Sequence, residues 1–131
     1  MIDRAGSLPS RSHHSILVID DDPAVTESVE KLLRAGGHAN VTVTNDARRA
    51  LPLFREIGPD LVLLDLHMPH LDGLYVLSTL RDHSPDEYLP ILVLTGDDEP
   101  EIKHRALLNG ANEFLAKPVD LEELYRVLCD A

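Results

Sequence analysis

The chain has 131 residues, 44% of them apolar, with two Phe, three Tyr and no Trp, so any core must be aliphatic. That length suits one domain with a full core, and no stretch reads as a linker to a second. The formal net charge of −11 disfavours direct binding to nucleic acid or to an anionic membrane, where lysine and arginine must displace counterions. A single cysteine, Cys129, excludes an internal disulfide framework and fits a reducing compartment. No apolar run approaches the roughly 18 residues of a membrane span. Residues 1–14 carry Arg4, Arg11, His13 and His14 but no apolar stretch of a signal peptide. The expectation is a soluble, cytoplasmic protein with a disordered lead over 1–14 and one domain over 15–131.

Along the chain, short apolar runs alternate with segments of helical period. Ser15-Ile16-Leu17-Val18-Ile19 ends in Asp20-Asp21-Asp22-Pro23, as a buried strand stopped by acids and proline should. Val25, Val29, Leu32 and Leu33 then fall at helical spacing, and Gly36-Gly37 closes the segment. Val41–Thr44 is the second strand. Asp46 can cap a helix with Ala47, Ala50, Leu51 and Phe54 on its face, although Pro52 inside it calls for a kink or a late start.

The pattern repeats three times more. Leu61–Leu64 is a strand ending in Asp65, followed by a helix over roughly 72–83. Ile91–Leu94 ends in Thr95, with a helix from about 98 to 109. Glu113–Ala116 ends at Lys117-Pro118, and Val119 or Asp120 opens a last helix carrying Leu121, Leu124, Val127 and Leu128. Strands with little apolar/polar alternation are buried on both faces, which requires a parallel sheet between layers of helices. The fold class is α/β, doubly wound, with five strands and five helices.

In open parallel sheets, ligands bind at the carboxyl ends of the strands. There the sequence places Asp20, Asp21 and Asp22 after the first strand, Asp65 after the third, Thr95 after the fourth and Lys117 after the fifth. Carboxylates held together repel unless a cation relieves them, and Mg2+ suits a small set of oxygen ligands that leaves room for water or phosphate oxygens. A lysine can neutralise a phosphoryl oxygen and a threonine hydroxyl can donate to another. Aspartate also serves as a covalent nucleophile in such chemistry. The residues by themselves point to a Mg2+-assisted phosphoryl-binding site.

Four segments carry a specific resemblance: ILVIDDDPAV (16–25), PDLVLLDLHMPHLDGL (59–74), LPILVLTGDDE (89–99) and GANEFLAKPVDLEEL (110–124). In this order and at these spacings, the chain resembles the CheY-like receiver domains of bacterial two-component response regulators from about Ile16 to Leu128. The resemblance implies a flavodoxin-like sheet of order 2-1-3-4-5 and a phosphorelay function. It implies that Asp65 is the phosphoacceptor, served by a histidine kinase or a phosphotransfer protein. Asp20 and Asp21 would hold Mg2+ together with Asp65 and the backbone carbonyl of His67. Thr95 and Lys117 would bind the phosphoryl group, and Phe114 would be the switch aromatic, carrying no hydroxyl where a tyrosine would have one. Lys117-Pro118 would be a cis peptide. Met68-Pro69 and Asp72-Gly73 would shape the loop and helix entry after the acceptor. The chain would not be an enzyme beyond its own phosphorylation and dephosphorylation. Its output would be a partner-binding surface of helix 4, strand 5 and helix 5, on which two copies could pair. Ending soon after the last helix, it would either dock on a partner or be the excised receiver of a longer regulator.

Two other readings compete. Asp20-x-Asp22, with Thr95 and Lys117 later, resembles haloacid-dehalogenase-type phosphatases, in which Asp20 would be the nucleophile. Only Asp120, Glu122 and Glu123, on a helix, follow Lys117 to supply the further acidic motif that such enzymes use. A flavodoxin-type nucleotide or flavin module would want glycines and backbone amides after the first strand, where this chain has three acids.

Overall fold

The computed structural model describes residues 15–68, 71–84, 89–96 and 100–130, and their side chains except those of 71, 121 and 127–130. Each apolar run forms a strand: β1 (Ser15–Ile19), β2 (Asn40–Thr44), β3 (Leu61–Asp65), β4 (Ile91–Thr95) and β5 (Glu113–Ala116). They make one parallel sheet in the order β2-β1-β3-β4-β5, as expected. Five helices cover it: α1 (Pro23–Ala35), α2 (Ala50–Ile57), α3 (Gly73–Asp82), α4 (Pro100–Leu108) and α5 (Leu121–Asp130). A two-stranded ribbon, His67–Met68 against Leu71–Asp72, lies between β3 and α3.

The period-two alternation of the strands splits the core into two layers. Leu17, Ile19, Val62, Leu64, Ile91 and Val93 face Phe54 of α2, Val76, Leu77 and Leu80 of α3, and Ala106 of α4. Ile16, Val18, Leu61, Leu63, Leu92, Leu94 and Leu115 face Val29 and Leu33 of α1 and Leu124 of α5. Burying each such aliphatic side chain contributes about 1.5–3 kcal/mol. The exposed pair of Lys31 with Glu27, at 3.3 Å, adds less than about 1 kcal/mol. The two-sided core therefore fixes the fold.

Local chemistry sets the helix ends. Asp22 caps α1 by accepting from the Ala24 N–H at 2.9 Å, and Asp72 caps α3 by accepting from Leu74 at 3.0 Å. Asp46 caps a 3-10 turn, Ala47–Arg49, and the α-helix proper begins only at Ala50. Pro52 thereby lies in the first turn of α2, where its missing N–H has no intrahelical acceptor to lose. That is the late start foreseen for this segment. At the end of α1, a side chain on Gly36 would collide with the Tyr125 hydroxyl, so glycine there lets α5 approach.

Arg81 braces the far end of the sheet. Its guanidinium donates to the carbonyls of Leu89 (2.9 Å) and Gly110 (2.8 Å) and to Asn112 Oδ1 (2.8 Å). Asn112 Oδ1 also accepts from the Ile91 N–H at 2.8 Å. Burial lowers the Arg81 pKa. No described helix is long and apolar enough to cross a membrane. The expectations for the lead 1–14, for Pro69 and for helix residues 98 and 99 lie outside the described residues. So do those for the side chains of Leu121, Val127 and Leu128.

Candidate functional site

Sheet register assembles the site. Ile19 pairs with Leu64, so Asp20 and Asp65 each lie one residue further on, side by side. Asp65 pairs with Leu94, which puts Thr95 one step beyond, and Thr95 pairs with Ala116, which is followed by Lys117. The Lys117 N–H donates to the Thr95 carbonyl at 2.9 Å, and Lys117-Pro118 is a cis peptide. All these positions are at the carboxyl edge, where a parallel sheet presents its ligand crevice. Asp20 is 0% exposed and Asp65 1%; Thr95 is buried and Asp21 half-buried.

The charges are tightly joined. Lys117 Nζ stands 2.8 Å from Asp20 Oδ2 and 3.3 Å from Asp65 Oδ1. Backbone amides support both acids: His67 N–H donates to Asp65 Oδ1 at 3.2 Å, and Asp22 N–H to Asp20 Oδ1 at 3.0 Å. Burial, followed by repulsion from Asp20, raises the Asp65 pKa, and the bonds from His67 and Lys117 oppose the rise only in part. Burial alone would lower the Lys117 pKa, but the bonds and charges of Asp20 and Asp65 raise it overall.

Asp20, Asp21 and Asp65 each direct a carboxylate oxygen to within 4.8 Å of the others. Three hard anionic oxygens around one point, countered by one ammonium, fit a hard dication such as Mg2+. Repulsion from Asp20 is the second cause, after burial, of the raised Asp65 pKa.

Phe114 is half-buried and packs against the core layer of α2, α3 and α4. Beside it, a cleft of about 270 Å³ is lined by Thr95, Gly96, Lys103, Phe114, Ala116, Lys117 and Glu123. It opens directly beside the acidic centre. The His67 side chain is exposed and contributes its backbone N–H to Asp65. Asp22 is engaged as the cap of α1, so the phosphatase reading that needs Asp20 and Asp22 as a working pair finds no support. Asp97 and Asp98 lie outside the described residues.

Two supporting residues escape a reading of the sequence. Asn45, just past β2, donates to the Asp20 carbonyl (2.8 Å) and to Thr26 Oγ1 (3.0 Å), and Thr26 bonds the Pro23 carbonyl at 3.1 Å. Together they hold the acidic loop against α1. Gly73, expected from the resemblance to shape the helix entry, lies where a side chain would collide with the Leu66 backbone, so glycine lets α3 start so close behind Asp65. The polar residue following β2 was the available signal for Asn45; nothing local marks Thr26 as its partner.

Comparison with known proteins agrees with this geometry. Residues 16–128 match the family described as the response regulator receiver domain. Response regulator MprA of Mycolicibacterium vanbaalenii is 47% identical over 109 residues, 83% of this chain and 46% of the relative. The transcriptional regulatory protein TrcR of Mycobacterium tuberculosis is 37% identical over 94% of this chain and 45% of its own length. The chain thus spans about half the length of these relatives. Among solved structures, the Vibrio cholerae chemotaxis protein CheY4 superposes with a TM-score of 0.83 at 29% identity, covering 89% of this chain and 97% of that one. A response regulator from Chloroflexus aurantiacus gives 0.79 at 35% identity, over 87% and 93%. The chain belongs to the response regulator receiver domains of two-component systems.

Proposed function

We propose that this receiver is a phosphorylation switch whose acceptor is Asp65, charged by the phosphohistidine of a histidine kinase or phosphotransfer protein. A carboxylate oxygen of Asp65 forms the bond to phosphorus as the donor's nitrogen–phosphorus bond breaks, and the departing imidazole takes up a proton. Lys117 then pairs with one phosphoryl oxygen and the Thr95 hydroxyl donates to another. Asp20, Asp21, Asp65 and the His67 carbonyl would hold Mg2+, which supplies charge neutralisation for the incoming phosphoryl oxygens. The observation that carries this reading is the Lys117 ammonium spanning two buried acids on neighbouring strands, at 2.8 and 3.3 Å.

The output follows from charge. Phosphorylation adds about −1.5 to −2 charges beside Asp65 at neutral pH. Thr95, drawn toward them, leaves room into which Phe114 turns, and the face of α4, β5 and α5 changes for a partner or a second copy. With its charge of −11, the chain itself does not touch nucleic acid. The resemblance to a transcriptional regulatory protein, matched over 45% of its length, supports a switch that acts through another domain or partner. The single Cys129 supports a cytoplasmic setting. The chain performs no chemistry beyond gaining and losing its own phosphoryl group.

Acetyl phosphate with Mg2+ tests the reading by intact mass. Wild type is expected to gain one phosphoryl group, a gain prevented when Mg2+ is chelated beforehand and absent from Asp65→Asn. Uptake that survives in Asp65→Asn but disappears in Asp20→Asn would overturn the assignment.

A further inference from the structure

Phe114 occupies the switch position without a phenolic hydroxyl, so packing or charge must take over whatever a hydroxyl's hydrogen bond would do. The structure supplies a charge. Lys103 of α4 places its ammonium 5.8 Å from the centroid of the Phe114 ring, inside the range in which a cation is attracted by an aromatic face. Both residues line the cleft of about 270 Å³ that also holds Thr95 and Lys117. Both are half-buried, which places the contact out of full solvent screening. The ring also packs on the core layer of α2, α3 and α4. The ring is therefore held by apolar packing and by an ammonium carried by α4, the helix whose face the switch must alter.

We propose that Lys103 is a positioning residue for Phe114: a cation–π latch from α4 that holds the aromatic in its resting place and sets how far phosphorylation shifts it. The inference rests on the phosphorylation switch proposed above and adds to it the element that biases the resting state. A contact present in one state and broken in the other shifts their ratio by its own free energy. For a partly exposed cation over a phenyl ring, that corresponds to about a two- to fivefold change in the population of the turned state. The latch also ties α4 to β5 through the moving residue, so release of Phe114 frees α4 at the same time.

The chain has only two Phe, Phe54 and Phe114, so ring-labelled phenylalanine gives a carbon–proton NMR spectrum with one reporter and one buried control. Wild type, Lys103→Met, Lys103→Arg, Phe114→Leu and the double variant Phe114→Leu with Lys103→Met are compared, first with chelator and then with Mg2+ and beryllofluoride. Without ligands, Lys103→Met is expected to move the Phe114 signals toward their beryllofluoride positions, leaving Phe54 in place, and Lys103→Arg to restore them. The half-saturating beryllofluoride concentration is expected to fall two- to fivefold in Lys103→Met. A loss of Lys103 that alters the Phe114→Leu background as much as wild type would show a merely structural role and overturn the latch. So would Phe114 signals indifferent to Lys103→Met without ligands. A wild-type Phe114 that ignores beryllofluoride while Asp65 binds it overturns the switch itself, and the ligand-free comparison still decides the contact.

Discussion

Replacing Asp65 by asparagine removes one charge from the site while keeping its shape, and the structure fixes the sign of the effect. The carboxylate is 1% exposed, 3.3 Å from Lys117 Nζ, and within 4.8 Å of the Asp20 and Asp21 oxygens. At an effective dielectric of about 20, attraction to Lys117 is about 5 kcal/mol and repulsion from Asp20, whose oxygen lies within 4.8 Å, is at least about 3.5 kcal/mol. Asp21, nearer to solvent, adds a screened share, so the charge terms nearly cancel. Desolvation of a buried carboxylate, several kcal/mol, then decides the balance. The ionised Asp65 therefore destabilises the metal-free protein, and Asp65→Asn is expected to be about 1–3 kcal/mol more stable at neutral pH.

Urea denaturation followed by circular dichroism, with chelator present, measures that difference; thermally it amounts to about 3–6 °C per kcal/mol for a domain this size. Its pH dependence follows from the raised pKa of Asp65. The group burdens the native state only when ionised, so stability is fully present below the ordinary value of 3.8 and is lost as pH rises through the elevated native value. The advantage of Asp65→Asn should thus vanish in acid and grow toward neutrality. Mg2+ at a hundred times its dissociation constant should add about 2.7 kcal/mol to wild type and much less to the variant, closing or reversing the gap. A chelated Asp65→Asn that is less stable than wild type at neutral pH would refute this electrostatic account, as would a gap that Mg2+ leaves unchanged.

Three other substitutions probe separate parts of the framework. Lys117→Met leaves Asp20 and Asp65 buried without their countercharge, and chelated protein should lose about 3–5 kcal/mol by urea denaturation. Gly73→Ala drives a methyl into the Leu66 backbone; a loss of about 1–3 kcal/mol and slower uptake from acetyl phosphate are expected, read by melting and by intact mass. Arg81→Met strips the Leu89 and Gly110 carbonyls of their donor and should lower stability by about 1–3 kcal/mol in a thermal melt without changing the Mg2+ dependence.

Much of this was legible in the sequence because the sheet is central and parallel. Runs such as Leu61–Leu64 and Ile91–Leu94 are buried along their length, so their polar followers, Asp65 and Thr95, stand out as the first groups at the carboxyl edge. The strand order was not legible from periodicity and came only with the family resemblance, since apolar runs carry no label of their neighbour. Helix starts were legible at Asp46 and Asp72, whereas the cap at Asp22 was hidden among three consecutive acids, and the 3-10 turn before Ala50 resolves the conflict that Pro52 created. Contacts between distant segments left no local trace. Asn45 with Asp20 and Arg81 with Gly110 each join residues that no periodicity relates.

The three acids, equivalent as letters, are unequal in the fold. Asp20 is fully buried and holds the shorter bond to Lys117, so it acts as the fixed countercharge that keeps the ammonium in the site. Asp21, half-buried at the turn, keeps contact with water and can meet an arriving cation at lower desolvation cost. Asp65 has the longer bond to Lys117, and its pKa is raised chiefly by burial. Its strand pairs with β4, whose Thr95 lines the cleft beside Phe114. The register that aligns β1, β3, β4 and β5 thus does more than gather polar residues at one edge. It buries Asp20 and Asp65 on neighbouring strands around one lysine and leaves Asp21 nearer to water, so three acids of unequal exposure meet at one point.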